Sequence, residues 1–231
     1  MYKDHEQLES INENLTLWKY MDFLKFVNIL ATNTIWFNRL DSFEDVYEGV
    51  YPKANKVKRP EIYGDAIIPQ DIYDQIQEYA RNRLYVLCFH NNPYESAAMW
   101  SLYAKESGVA IKTSIDKLKQ CFNVESKDIE ISNVSYIDYD EDFMPEGNAF
   151  YLGTHKRKSF SHENEIRCMY LNQGEIGNNG VYINIDLVKL VDAVYISPYA
   201  PAYMEDTVRK LIEKYNLNVP VIKSMLYDLG K

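Results

Sequence analysis

The stretch Lys158-Ser-Phe-Ser-His-Glu-Asn-Glu-Ile-Arg-Cys-Met-Tyr-Leu171 decides how the fold is interpreted. From Glu163 on, the pattern predicts a β-strand. Side chains alternate between the two faces of a strand, so Glu163, Glu165 and Arg167 are expected on one face. The Cα atoms of the two glutamates would then lie roughly 6–7 Å apart. Three ionisable groups on one face indicate either a solvated sheet surface or the wall of a cleft.

This charged trio has three interpretations. If both carboxylates are partly buried, one pKa should rise and Arg167 should counter the rise by pairing. Such a group can hold a ribose, a cation or a leaving group. Alternatively, the trio is a solvent-exposed row of charges, which is common on one-sided sheets. In the third interpretation, the charges pair with one another and only hold neighbouring loops in place.

The composition excludes several classes of protein. The chain has 231 residues and a net charge of −9, so binding to bulk nucleic acid is not expected. Its three cysteines match no metal or redox spacing. The first residues lack the basic and apolar regions of a signal peptide, and no apolar run is long enough for a bilayer. We therefore expect a cytoplasmic protein without a membrane segment.

The remaining pattern predicts an α+β fold in a single domain spanning 1–231, with a central mixed or antiparallel sheet flanked by helices. The chain should open as strand, helix, strand, with Asp22 capping the helix. A helix capped by Asp71 and a buried strand over Leu84–Phe89 should follow. Further strands are predicted at 109–113, 129–139, 181–185, 193–197 and 219–224, and further helices at 94–105, after Asp116, around Phe150 and at 201–215.

Two loops are predicted in the first third of the chain. Residues 50–70 contain three prolines and a basic cluster, which is typical of a mobile loop or an insertion. Residues 40–49 mix acidic and aromatic side chains, and Gly49 allows a left-handed turn there. Asp45 and Glu48 in this segment are candidate ligand-binding residues, although Asp45 can equally cap backbone amides.

Several further side chains are candidates for binding a substrate. His90 ends the buried strand, where loops often carry sites, although a surface histidine is the simpler interpretation. Trp100 and Tyr103 lie three residues apart on a predicted helix and can form a stacking wall, or simply pack in the core. His155 and His162 match no closed metal site, so no metal is predicted.

Four segments together resemble a bacterial and phage family catalogued as domain of unknown function 2971. They are Leu17–Tyr20 with Ile35–Phe37 and Phe43–Gly49, then Cys88–Phe89 with Met99–Trp100, Tyr103–Ala104 and Gly108–Val109, then the 158–171 stretch, and finally Val194–Ser224. The third segment is similar to the family's lysine, tryptophan and Glu-x-Glu-x-Arg pattern. Phe160 stands at the tryptophan position, and either Lys156 or Lys158 matches the lysine.

A more distant similarity is to ADP-ribosyltransferases, which begin strand, helix, strand and carry Glu-x-Glu at the head of a later strand. It implies a split sheet, NAD or another nucleotide as ligand, and a catalytic Glu165 that stabilises an oxocarbenium-like transition state. Glu163 would assist the acceptor, with Arg167 beside them in the cleft. Lys19 falls where that family has arginine or histidine, and Tyr20 would join Trp100 or Tyr103 in stacking.

The resulting hypothesis is an enzyme that processes NAD or a related nucleotide. The alternative hypothesis is a non-enzymatic module that binds a protein partner, for example in phage–host conflict. In that case the acidic face engages the partner, and Glu163 and Arg167 simply pair.

Overall fold

A computed structural model describes residues 1–8 and 11–228, and within them the chain forms eleven strands and eight α-helices. The strands are β1 (Thr16–Asp22), β2 (Thr34–Arg39), β3 (Leu84–Asn91), β4 (Gly108–Ser114), β5 (Glu130–Asn133), β6 (Ser135–Ile137), β7 (His155–Arg157), β8 (Glu165–Leu171), β9 (Gly180–Asn184), β10 (Ala193–Ile196) and β11 (Val221–Lys223). The α-helices are α1 (Phe23–Thr32), α2 (Lys53–Tyr63), α3 (Gln70–Arg83), α4 (Ala97–Tyr103), α5 (Ile115–Cys121), α6 (Ala149–Thr154), α7 (Leu187–Leu190) and α8 (Tyr203–Lys214).

Nine of the strands in the described part of the chain form one mixed sheet that forks at β3. One edge of β3 pairs with β8 along almost its whole length. The other edge pairs with β2 near its start, at Asn38↔Val86, and with β1 at its end, at Trp18↔His90. One arm therefore continues as β1-β4-β10-β11 and the other as β2-β9. The predicted α+β fold with a large, split sheet and flanking helices is confirmed.

The strand register decides which side chains share a face of the sheet. Residues directly opposite each other in an antiparallel pair project to the same face. Trp18, His90 and Glu165 therefore share one face, together with Cys88 and Arg167. The apolar alternate residues, such as Leu87 and Phe89, project to the other face.

The two faces are covered very differently. On the apolar face, α1, α5, α7 and α8 bury one large core. On the opposite face, α3 and α6 cover a cluster around Leu84, Val86 and Met169, while α4 covers a cluster around Trp18 and Tyr20. The charged residues of β8 lie between these two smaller clusters, so their environment is largely desolvated.

The opening strand-helix-strand unit follows its sequence closely. Asp22 caps α1, and its carboxylate accepts a hydrogen bond from the backbone N–H of Lys25 at 2.9 Å, as predicted. Asn33 adopts a left-handed conformation with φ of 50°, which ends the helix and turns the chain into β2. Gly49 is also left-handed, with φ of 71°, as the sequence predicted.

Residues 53–63 form α2, and the mobile loop or insertion predicted over 50–70 stays a prediction. Three predictions of secondary structure were wrong. Asp71 does not cap α3, which begins at Gln70 directly after Pro69. The strand predicted over 129–139 is two strands, β5 and β6, in different sheets. Glu163 does not belong to β8, which begins at Glu165.

Within the described residues, no helix combines the length and the apolar character that crossing a bilayer requires.

Candidate functional site: a buried glutamate cluster

The side chains of Glu165 and Arg167 lie inside the protein. Glu165 is 8% exposed and Arg167 is fully buried, so the solvent-exposed row of charges is excluded. The Arg167 guanidinium donates to Glu165 Oε2 at 2.6 Å, to both carboxylate oxygens of Glu48 at 2.8 and 2.9 Å, and to the Gly153 carbonyl at 2.9 Å. Glu48, predicted as a binding residue, is thus the bidentate partner of the arginine.

The Glu163 carboxylate also lies beside this buried pair, but Glu163 is not part of the predicted strand. It ends a 3₁₀ turn over Lys158–Glu163, and Asn164 then adopts a left-handed conformation with φ of 39°. Asparagine tolerates this conformation better than most residues. The turn interrupts the alternation of the strand and directs the Glu163 carboxylate towards Lys156, which donates a hydrogen bond to it. The charged trio is therefore brought together, although not by one strand face.

Lys156 on β7 is the lysine at the centre of the cluster. Its ammonium donates to Glu163 and lies 3.3 Å from carboxylate oxygens of Glu165 and of Glu48. Lys158, predicted as a binding residue, instead pairs with Asp142 at 3.0 Å and its side chain is 59% exposed. β7 ends at Arg157, so the alternation does not extend to Lys158. The prediction for Lys158 is corrected in favour of Lys156. Glu48, Lys156, Glu163, Glu165 and Arg167 together are called the glutamate cluster below.

The two adjacent carboxyls have opposite pKa shifts. Burial by itself raises the pKa of Glu165, but Arg167 and Lys156 outweigh burial and hold the pKa well below its usual range. Burial also raises the pKa of Glu163, and the neighbouring Glu165 carboxylate raises it further. Lys156 and Tyr103 only partly oppose that rise. The surroundings therefore favour the ionised form of Glu165 more strongly than that of Glu163.

Tyr103 connects the cluster to the protein surface. Its hydroxyl donates to Glu163 Oε1 at 2.6 Å, while its side chain at the end of α4 is 47% exposed. Burial and the contact with Glu163 raise the pKa of Tyr103, so the phenol remains a hydrogen-bond donor. A ligand approaching Glu163 along this side would meet the ring of Tyr103.

His90 lies opposite Glu165 in the strand register and is 6% exposed. Its Nδ1 lies 2.6 Å from the Glu163 carbonyl oxygen, which can only accept, so Nδ1 carries a proton. Burial lowers the pKa of His90 and favours the neutral ring. Its Nε2 atom therefore offers a lone pair, and it has no hydrogen-bond partner within the described residues.

Three other predicted residues lie outside the cluster. The Trp100 ring is fully buried, and its indole N–H donates to Glu95 at 2.8 Å. It offers no ring face to a ligand, so the predicted stacking role is corrected to core packing. Tyr20 is 6% exposed and contacts Trp100 edge to face, so it is likewise a core residue. The amine of Lys19 donates to the Cys88 carbonyl at 2.9 Å, in the fork between β1 and β2. Burial lowers the pKa of Lys19.

Asp45 lies beside the cluster rather than in it. Its carboxylate pairs with Arg157 at 2.7 Å and also accepts from the Tyr47 N–H at 3.1 Å. The capping role expected from sequence is therefore present. Sequence analysis missed Tyr136, whose hydroxyl accepts from the Glu165 N–H at 2.9 Å, because its strand pairs with β7 in the small second sheet.

Among residues 1–8 and 11–228, no group of three or more His, Cys, Asp or Glu side chains is arranged to hold a metal ion. Two surface cavities of about 450 and 400 Å³ lie elsewhere, one beside Asn33 and Asp186 and the other beside Asp128 and Glu130. The side chains of the glutamate cluster are themselves buried, with Glu48 2% and Glu165 8% exposed.

Comparison with known proteins confirms the family resemblance in part. The model of the family described as "Protein of unknown function (DUF2971)" matches residues 99–168, which include Lys156, Glu163, Glu165 and Arg167. No curated protein matches this chain. Two similar solved structures are Thermus sp. 2.9 DarT in complex with ADP-ribosylated ssDNA and the same protein in complex with NAD⁺. Both are 9% identical to this chain. The match to the first has a TM-score of 0.43 and covers 94% of this chain and 98% of the DarT chain. The match to the second has a TM-score of 0.40 and covers 93% of this chain and 98% of the DarT chain.

Proposed function

We propose that the glutamate cluster is the active site of an enzyme that cleaves the N-glycosidic bond of NAD or a related nucleotide and transfers the ribosyl group. The observation that carries this proposal is that two buried carboxyls share the ammonium of Lys156, while Arg167 pairs with Glu165 and Tyr103 donates to Glu163. Neighbouring carboxyls whose environments separate their pKa values commonly divide the work of acid–base and electrostatic catalysis. The Glu-x-Glu resemblance to ADP-ribosyltransferases supports the same assignment of roles.

In the proposed reaction, the bond between the ribose C1′ and the nicotinamide nitrogen breaks, and its electron pair leaves with nicotinamide. The positive charge that develops on the ribose is stabilised by the carboxylate of Glu165, which Arg167 and Lys156 keep ionised. A hydroxyl of the acceptor then forms the new bond to C1′ and gives its proton to Glu163. Tyr103 orients the Glu163 carboxylate through its hydrogen bond.

Binding requires the cluster to open, because Glu163 and Glu165 are 5% and 8% exposed. The exposed ring of Tyr103 marks the side from which a nucleotide would enter, and it can stack on the nicotinamide ring. The free lone pair of His90 Nε2 can accept a hydrogen bond from a hydroxyl or amide of the ligand. Both groups touch Glu163, so ligand binding and proton transfer would involve the same residue.

The test is release of nicotinamide from NAD by the purified protein, followed by chromatography. Glu165→Gln should lower the rate by about 100-fold or more, as expected when an aligned electrostatic group is removed. Glu163→Gln should lower transfer to a hydroxyl acceptor by a similar factor. The matched control is Glu205→Gln, which alters an exposed pair with Arg209 on α8 and should keep the full rate. Equal rates for the wild type and Glu165→Gln would refute the proposal.

A structural role is the second candidate, and one observation favours it. Arg167 is fully buried and its donors are directed at Glu48, Glu165 and Gly153, so the cluster also ties β8 to the 40–49 loop and to α6. If this is the only role, Glu165→Gln will change stability while no turnover of any nucleotide is found. The protein-binding module stays a prediction from sequence.

A further inference from the structure

A second site stands apart from the glutamate cluster, at the β5 edge of the sheet. Glu130 lies on β5 opposite Met169, two positions along β8 from Arg167. It lines the cavity of about 400 Å³, together with Asp128, Phe150, Tyr170 and Asn172. A cavity of this size is large enough for a small ligand.

The carboxylate of Glu130 is buried, and one of its oxygens has no hydrogen-bond donor within the described residues. The side chain is only 8% exposed, and its Oε2 atom is buried with no hydrogen-bond partner among the described residues. A buried carboxylate oxygen without a donor is costly, and such atoms are rare in folded proteins. Burial, reinforced by Asp128, raises the pKa of Glu130 to about 7, in line with a missing positive partner.

The nearby lysines do not supply that partner. Lys3 pairs with Asp128 at 2.7 Å, and Lys127 pairs with Glu125 at 3.3 Å. Asn172 is also engaged, because its Oδ1 accepts from the Gly174 N–H and its Nδ2 donates to the Glu175 carbonyl. Lys127 also lines the cavity, and its ammonium lies 6.0 Å from the centroid of the Tyr170 ring. The Phe150 ring lines the cavity as well, and ring faces attract cations.

We propose that this cavity binds a small organic ammonium ion, a primary amine or a linear polyamine, whose N–H groups donate to the carboxylate of Glu130. The ligand class follows from the chemistry of the lining. The buried Glu130 oxygen without a donor favours a ligand whose N–H groups carry positive charge, and the aromatic lining favours an organic rather than a hydrated inorganic cation. A divalent metal does not fit, because no three ligating side chains gather here within residues 1–8 and 11–228. This proposal does not rest on the nucleotide chemistry of the glutamate cluster.

The test is isothermal titration of the full chain with 1,4-diaminobutane and with spermidine. We expect saturable binding of one molecule per chain and a matching rise in melting temperature. Tetramethylammonium carries the charge without an N–H donor and should bind at least about tenfold more weakly, as expected when a charge-assisted hydrogen bond is absent. Magnesium chloride should give no saturable binding.

Two variants connect the binding to the cavity. Glu130→Gln keeps the shape of the side chain and should weaken amine binding by at least about tenfold. Asp128→Asn, on an exposed side chain, should fold normally and weaken binding two- to threefold through loss of a nearby charge. The matched control, Glu213→Gln on α8, should bind like the wild type. The proposal is overturned if neither amine binds, if Glu130→Gln binds equally well, or if magnesium binds in place of the amines.

Discussion

Replacing Arg167 with methionine is the sharpest test of how the glutamate cluster is held together. The substitution preserves most of the volume but removes the donors to Glu48, Glu165 and the Gly153 carbonyl. Removing one partner of a buried ion pair typically costs about 3–5 kcal/mol, because the other charge stays buried and unpaired. Lys156 lies 3.3 Å from both Glu48 and Glu165 and compensates only in part. We therefore expect a loss of about 3–5 kcal/mol.

The assay is urea unfolding followed by circular dichroism, with the m-value checked for each variant. Lys158→Met is the control, since its pair with Asp142 is exposed and its loss should leave stability close to that of the wild type. Combining Arg167→Met with Glu48→Gln should cost less than the sum of the single changes, because one of the two carboxylates that lose the arginine is then neutral. A loss below about 1 kcal/mol for Arg167→Met would refute the description of the cluster as a desolvated charge network.

Three further changes probe the fold and the ionisation of single groups. Burial opposes ionisation of Glu125, but hydrogen bonds from the Asn184 and Lys127 amides outweigh it and lower its pKa to about 2, below the ordinary 4.5. Its stabilising contribution is thus complete above pH 4.5 and lost as the pH falls towards 2. Glu125→Gln should make the free energy of unfolding depend less on pH in that window, and an unchanged dependence would contradict this. Burial lowers the pKa of His90 below the ordinary 6.5, so the folded state binds fewer protons at this residue than the unfolded state does. The free energy of unfolding should therefore fall as the pH drops below 6.5. His90→Gln should make this dependence on pH less steep in urea titrations at several pH values. A Cβ at Gly153 would meet Leu84 Cδ2 at 2.5 Å and Met169 Sδ at 3.0 Å. Gly153→Ala should therefore lower the free energy of unfolding by about 1–3 kcal/mol in chemical denaturation. The control is Gly174→Ala, whose nearest contact is 3.4 Å and whose cost should be less than about 1 kcal/mol.

Local signals in the sequence were sufficient for the elements that depend on them. Asp22 and Asn33 bound α1 because a side-chain cap and a left-handed residue act within a few positions of each other. The apolar run of β3 predicted a strand buried on both faces, and it is the strand that both arms of the sheet meet. The prolines of residues 50–70 do not prevent a helix there, because Pro52 precedes α2 and Pro60 lies inside it.

The composition of the cluster was only partly predictable, because it depends on contacts between distant segments. Alternation placed Glu165 and Arg167 together correctly, since both lie on β8. It failed for Glu163, where a 3₁₀ turn replaces the strand. Glu48 was selected as acidic, but its pairing with Arg167 across 119 positions has no local signal.

The free lone pair of His90 and the unpaired carboxylate of Glu130 follow from burial in three dimensions. A pattern of residue types does not report whether a polar atom has found a partner. In both cases the sequence supplied the residue, and the packing of neighbouring strands determines its ionisation.

The rate of nicotinamide release from NAD by the wild-type protein and by Glu165→Gln, measured side by side where both are folded, tests the central claim most directly. We expect release by the wild type and a rate lower by about 100-fold or more for the variant. Release at the same rate by both proteins, or by neither, would contradict it.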